Sequence, residues 1–407
     1  MAQNTTVKSR NSLLIFILIS AFYASSKLLK ASLSPVATIF ISNNILSNVE
    51  LANLAAIFYL IVALMCLPAS IIVTIIGLRR SYAISALLMI CGTLFFAISN
   101  NFSIFLLSRG IMAIGYSFTF TCSIMVIYNL FAEKLYTLFI ASLLFIGYMG
   151  AALAGLPLSS IITINNWHYV YMFIALIQVV LFIVTYILLP IEKNYSSKAD
   201  SPNICLVDIL AVLRNKDTFI STAIIGCLIA CLFSLADIWG KTYLIEVFGY
   251  SVGIAALAGS SLIFIFSAVG ALILGYLESI GKINCNAMQW LSILAIITVI
   301  LFLYGSHDSA VFICILATLI GLSKSSTILV YTYIKKYTHP KYIAIAIAMS
   351  TTFEMLFSST IDFLIGAVLK VSSLLHFTLS DSYRLAMLVI VITLFLNLAM
   401  VLKLKKQ

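Results

Sequence analysis

Twelve apolar runs, each about 18 to 25 residues long, follow one another from Leu13 to Leu402 with short polar connectors between them. Each is long enough to cross a hydrocarbon core of about 30 Å as a helix. Their approximate limits are 13–37, 51–76, 82–99, 103–128, 136–163, 169–190, 219–246, 251–276, 287–305, 309–334, 342–369 and 383–402. Lipid offers backbone amides no water to bond, so a chain of this pattern folds as all-α membrane-spanning helices. Charged residues make up 9% of the chain, where a soluble domain carries about 25%. The longest polar stretch, 191–217, is too short for a separate soluble domain, so function has to sit among the helices. The first run follows Lys8 and Arg10 as a secretory signal would, yet it continues past a signal core without a small-x-small cleavage site and reads as a span.

Charge sets the expected orientation. If the amino terminus is cytoplasmic, 16 of the 23 basic residues fall on that side, among them Arg79, Arg80, Lys134, Lys193, Arg214, Lys282 and Lys403, and only Arg384 lies clearly in an opposite connector. Because Lys and Arg are enriched in cytoplasmic loops, both termini are expected in the cytoplasm of a bacterial inner-membrane protein. The net charge of +10 follows from that bias toward anionic lipid, and no basic face for nucleic acid is visible. Six of the eight cysteines, including Cys227 and Cys231, lie in apolar runs, where cysteine packs as a small hydrophobe. His168, His307, His339 and His376 are scattered near connectors, so no metal site or cofactor is expected. No phosphate-binding Gly-x-x-x-x-Gly-Lys-Ser/Thr loop is present.

The polar stretch 191–217 divides the spans six and six, giving an amino-terminal bundle (1–190), a cytoplasmic linker (191–217) and a carboxy-terminal bundle (218–407). The halves begin near 13 and 219, and Gly77 and Gly281 are 204 residues apart, as in a duplicated six-helix unit. Parallel repeats with a site at their interface are a recurring transporter plan, because two bundles rock around a fixed midplane cavity.

Several stretches carry a family pattern in order along the chain. After span two stand Pro68, Ala69, Ser70, Thr74, Ile75, Ile76, Gly77, Leu78, Arg79 and Arg80. Span four has Arg109, Ala113 and Gly115, span five Gly147, Gly150, Ala154, Gly155 and Pro157, and span six opens on Trp167 and His168. Gly275, Tyr276, Leu277, Glu278, Gly281 and Lys282 are a degraded second copy of the loop. Together these resemble the major facilitator superfamily over essentially the whole chain, whose loop reads Pro-x-Gly-x-x-x-Asp-Arg-x-Gly-Arg-Arg. The stretches Phe22–Pro35 and Ala236–Lys241 are similar to a bacterial branch of it. The resemblance implies the major facilitator fold, twelve helices in two six-helix bundles. It also implies a conformational latch at Gly77, Arg79 and Arg80, although Thr74 stands where the latching Asp would be.

Ionisable residues inside spans are the candidates for chemistry, because a charge in hydrocarbon costs about 2.5 to 3.5 kcal/mol unless it faces a cavity or a partner. At about 1.5 Å per residue, Lys27 and Arg109 reach a similar outer-third depth. Lys27, Arg109, Lys30 and the adjoining Tyr23 are candidates to bind an anionic group, Arg being suited to a bidentate grip. The alternative is that the lysines snorkel and Arg109 braces helices through backbone carbonyls. Glu354 lies near midplane in span eleven, with Asp362 two turns on. Desolvation there disfavours a lone carboxylate, so both are candidates for proton coupling, unless Glu354 is permanently paired with Lys324. Asp237 and Lys241, four apart, are placed for a local ion pair or gate. Tyr59, Tyr128, Tyr148, Trp239 and Tyr331 offer either polar edges to a cavity or plain packing.

The expected function is a secondary active transporter working by alternating access, proton-coupled and monomeric, moving a small organic anion or zwitterion such as an amino acid, dipeptide or carboxylate. Efflux of apolar or cationic drugs is the alternative. From other classes, a receptor without transport stays open. A membrane enzyme is not expected, since the short connectors lack clustered His, Asp or Glu.

Overall fold

A computed structural model describes residues 10–131, 136–189, 214–279, 286–305, 309–337 and 343–403. Most of the linker (190–213), the loop residues Gly281 and Lys282, and Lys8, Lys134, Lys193, Lys198, Lys341, Lys405 and Lys406 lie outside the described residues, as do His307 and His339.

Twelve helices are long and apolar enough to cross a membrane: Ser12–Ser42, Asn48–Val73, Leu78–Ile98, Phe102–Leu130, Ser142–Ile161, Trp167–Leu188, Lys216–Phe248, Val252–Glu278, Asn286–Tyr304, Ala310–Tyr331, Met349–Leu374 and Leu379–Lys403. These are spans one to twelve. Their ends carry local signals. Ser47 and Glu50 form a reciprocal capping box at the start of span two, Ser47 N–H donating to Glu50 at 2.8 Å and Glu50 N–H to the Ser47 hydroxyl at 3.2 Å. Gly77, at φ 88°, reverses the chain between spans two and three, and Gly249, at φ 68°, ends span seven.

Lipid supplies no hydrophobic drive between helices, so close approach depends on small residues. A Cβ on Gly115 would stand 2.8 Å from Ser85 O, and the Ser85 hydroxyl donates to Gly115 O at 2.8 Å, which locks span three onto span four. The same pairings recur in both halves: one with five as seven with eleven, two with four as eight with ten, three with six as nine with twelve. The duplicated sequence unit is thus a duplicated packing unit, two six-helix bundles. They meet through spans two and eleven and through five and eight. Span seven is 89% buried over its most apolar window and span six 28%, so the first is central and the second lines the lipid-facing rim.

Five interruptions depart from the uniform helices expected. Span one breaks at Ser32, span five at Gly155 and span ten at Ser325, while spans seven and eight each widen into a π-turn at Leu235–Trp239 and Leu257–Ser261. The π-turns face each other. A Cβ on Gly240 would come within 2.6 Å of Gly259 O, so the two backbones touch there and local helix geometry yields to that contact.

Candidate functional site

Pro35 explains the break in span one. It lacks an N–H and its ring crowds the carbonyl four residues back, so the helix cannot run regularly through Ser32. Ser32 instead turns, its N–H and hydroxyl both donating to Leu29 O, at 3.3 and 2.8 Å. Carbonyls around the break also accept from other helices. Arg109 donates from Nη1 to Leu29 O at 3.0 Å, from Nη2 to Lys30 O at 3.3 Å and from Nε to Leu54 O at 3.5 Å. Its guanidinium also lies 4.4 Å over the Phe58 ring. Tyr171 donates to Ser32 O at 2.8 Å. Arg109 is 2% exposed, and in this conformation it braces spans one, two and four, the alternative to a grip on solute, since a planar five-donor fork fits several backbone carbonyls at once. Arg109→Lys is expected to lower the melting temperature of the purified protein, because one ammonium cannot reach three carbonyls. Thermal unfolding in detergent measures this, and an unchanged midpoint would refute the brace.

Two candidates from opposite bundles meet directly. Lys30 Nζ lies 2.5 Å from Asp237 Oδ2, both side chains fully buried, and the Tyr59 hydroxyl donates to the same oxygen. Asp237 therefore does not pair with Lys241, as the four-residue spacing had suggested. Lys241 donates to Pro35 O at 3.2 Å and to the Ser159 hydroxyl at 3.3 Å. The widened turn at Leu235–Trp239 breaks the regular helical spacing, and a fully buried acid takes the strongest donors within reach. Asp362 is also fully buried and accepts from Trp239 Nε1 at 3.2 Å. It holds that indole within the carboxy-terminal bundle.

Lys27 ends in a box of aromatic rings drawn from both bundles: Tyr23, Tyr116 and Phe233 at 5.5 Å and Tyr148 at 5.8 Å from its ammonium. Lys324 points at two of the same rings, 3.8 Å over Tyr148 and 5.1 Å from Phe233, and its ammonium has no hydrogen-bond partner among the described residues. Lys30 comes within 3.1 Å of the Phe233 centroid. Phe233 is thus the hub of three ammonium groups, a role that its place in an apolar run does not announce. Glu354 is 8% exposed, as is Lys27, and it lies within electrostatic range of Lys27, Lys30 and Lys324. It makes no ion pair with Lys324, whose ammonium is unpartnered. The closed pair held open as an alternative is not formed.

Arg79 stays within its own bundle. Arg79 lies 4.4 Å over the Tyr186 ring of span six, Arg80 is exposed, and Gly77 supplies the positive φ. Cross-bundle bonds cluster elsewhere. Tyr383 donates to Asn48 at 2.8 Å and Ser359 to Ala56 O at 2.9 Å. Leu156 N–H donates to the Ser261 hydroxyl, which donates to Ala152 O, both at 2.8 Å. With Lys30–Asp237 and Lys241–Pro35, these contacts between described residues lie in the half of the molecule away from the chain termini. Among the described residues no group of three His, Cys, Asp or Glu is placed to hold a metal.

A family model described as Major Facilitator Superfamily matches residues 13–361. No curated protein matches the chain in sequence. Solved structures of similar fold include a bacterial homolog of the human lysosomal transporter Spinster, inward-facing and unoccupied, at 16% identity over 97% of both chains with a TM-score of 0.75. The nucleoside transporter NupG aligns at 15% identity over 98% of this chain and 100% of its own, TM-score 0.74. A D-xylose-proton symporter aligns at 14% identity over 97% and 99%, TM-score 0.68. At such identities the likeness is one of fold. Fold, duplicated packing and family match agree: the chain is an integral membrane protein belonging to the major facilitator superfamily of transporters.

Proposed function

We propose that the protein is a proton-coupled secondary active transporter that carries a small organic anion or zwitterion, of the amino acid, dipeptide or carboxylate class, by alternating access. One observation carries the reading. Lys27 and Lys324 face a shared aromatic chamber of Tyr148 and Phe233 and, among the described residues, neither is in ion-pair contact with a carboxylate, while Asp237 is engaged by Lys30 and Tyr59. Glu354 is then the chamber's free acid. Within its electrostatic range are Lys27 and Lys30 of span one, Cys66 of span two, Asp237 of span seven and Lys324 of span ten, with tyrosines of spans one, four, five and ten.

Protonating Glu354 removes a negative charge beside the incoming anion, so proton and anion strengthen each other's binding, and by linkage the effect is reciprocal. Anion uptake is therefore expected to rise as the pH on the loading side falls. The Lys30–Asp237 contact, closing the half away from the termini, has to part for that half to open. Both termini lie in the cytoplasm of an inner-membrane monomer in this reading, following the basic connectors. Proton coupling has a precedent in the D-xylose-proton symporter of the same fold. Efflux of lipophilic cations is disfavoured, because three ammonium groups surround Phe233. The test is uptake of radiolabelled carboxylates and amino acids into proteoliposomes with acid imposed outside. Accumulation abolished by a protonophore supports the proposal, and export of tetraphenylphosphonium with no anion uptake overturns it.

A further inference from the structure

Lys324 is placed where packing gives it no reason to be charged. It is 3% exposed, and its ammonium has no hydrogen-bond partner among the described residues. Burying an unpartnered charge is costly, and such orphans call for an explanation in function. The Tyr148 face compensates only in part, by about 0.5 to 2 kcal/mol. Methionine would fill nearly the same volume without that cost.

The chamber's polar groups define the missing complement. The ammonium groups of Lys27 and Lys324, set over the rings of Tyr23, Tyr116 and Tyr148, are donors, and Glu354 is the acceptor within their electrostatic range. A donor-rich chamber fits an oxyanion. Its walls are ring faces, which fit a flat apolar body. With Asp237 engaged by Lys30, the two free ammonium groups exceed Glu354 by one charge while it is ionised and by two once it carries the coupling proton. A solute of net charge −1 leaves no excess negative charge in either state, a dianion overshoots until the proton binds, and a zwitterion sets its own ammonium among lysines. We infer that Lys324 anchors the carboxylate of a monoanionic solute with an aromatic body, and that the chamber selects by net charge. This rests on the anion-transport reading above and narrows it.

The experiment is thermal unfolding of the purified full chain in detergent with four probes of similar body and different charge: phenylacetate, phenylsuccinate, phenylalanine and phenethylamine. Phenylacetate is expected to raise the wild-type midpoint most. Lys324→Met is expected to melt higher than wild type without a probe, yet to need at least tenfold more phenylacetate for the same shift. Lys324→Arg is expected to keep part of the response. A Lys324→Met protein that answers phenylacetate as the wild type does overturns the anchor while leaving an anion chamber in place. A wild type stabilised most by phenethylamine overturns both readings. If the wild type ignores all four probes, or answers phenylalanine best, the monoanion assignment is overturned while gradient-driven uptake still decides transport. If Lys324→Met fails to fold, the claim that packing does not need this cation is overturned.

Discussion

Lys30→Met is expected to destabilise the protein by about 3–5 kcal/mol, because Asp237 would keep its charge in a fully buried position with its cation removed. Asp237→Leu is expected to cost a similar amount by stranding Lys30. The double variant is expected to cost less than either single change, since two apolar side chains leave no uncompensated charge. Reversible unfolding in mixed micelles, run as a double-mutant cycle, measures this, and additive losses would show that the contact is not an ion pair in solution. The partners belong to opposite bundles, so the double variant should also loosen the closed half. A cysteine placed at Ala56, whose carbonyl accepts from Ser359 across the bundles, should then be labelled faster from the side away from the termini. Unchanged labelling would make the pair a local prop and not a latch.

The second large effect is expected from Glu354→Gln. Removing one charge about 6 Å from another at an effective dielectric of about 20 changes their interaction by about 3 kcal/mol, on the order of a hundredfold in binding. The amide cannot titrate, so that difference is no longer coupled to pH. The variant is expected to lose proton-driven accumulation by about two orders of magnitude while retaining solute exchange at equal pH on both sides, which does not require the acid to cycle. Counterflow in proteoliposomes separates the two. A variant that still concentrates solute against a gradient would remove Glu354 from proton coupling, whereas loss of both activities would make it a binding or folding residue.

The candidate residues were legible in sequence to different degrees. Lys27, Lys30, Asp237 and Glu354 stood out because a charge in an apolar run is expensive, and the fold brings them to one bundle interface. Arg109 stood out for the same reason, but its partners are backbone carbonyls of spans one and two, beside a break set by Pro35, 74 positions away. The expected Asp237–Lys241 pair was a local guess that tertiary contacts overrode. Phe233 carried no signal at all, since an aromatic residue in an apolar span looks like packing until three ammonium groups converge on it.

The sequence by itself determined the solvent, the number of helices and the twofold repeat, because lipid leaves the backbone few ways to satisfy its amides and hydropathy records where each crossing begins. Only the tertiary structure decided which buried charges are partnered. Pairing depends on side-chain directions across helices about two hundred residues apart, on a proline break and on two facing π-turns, and spacing along one helix encodes none of these.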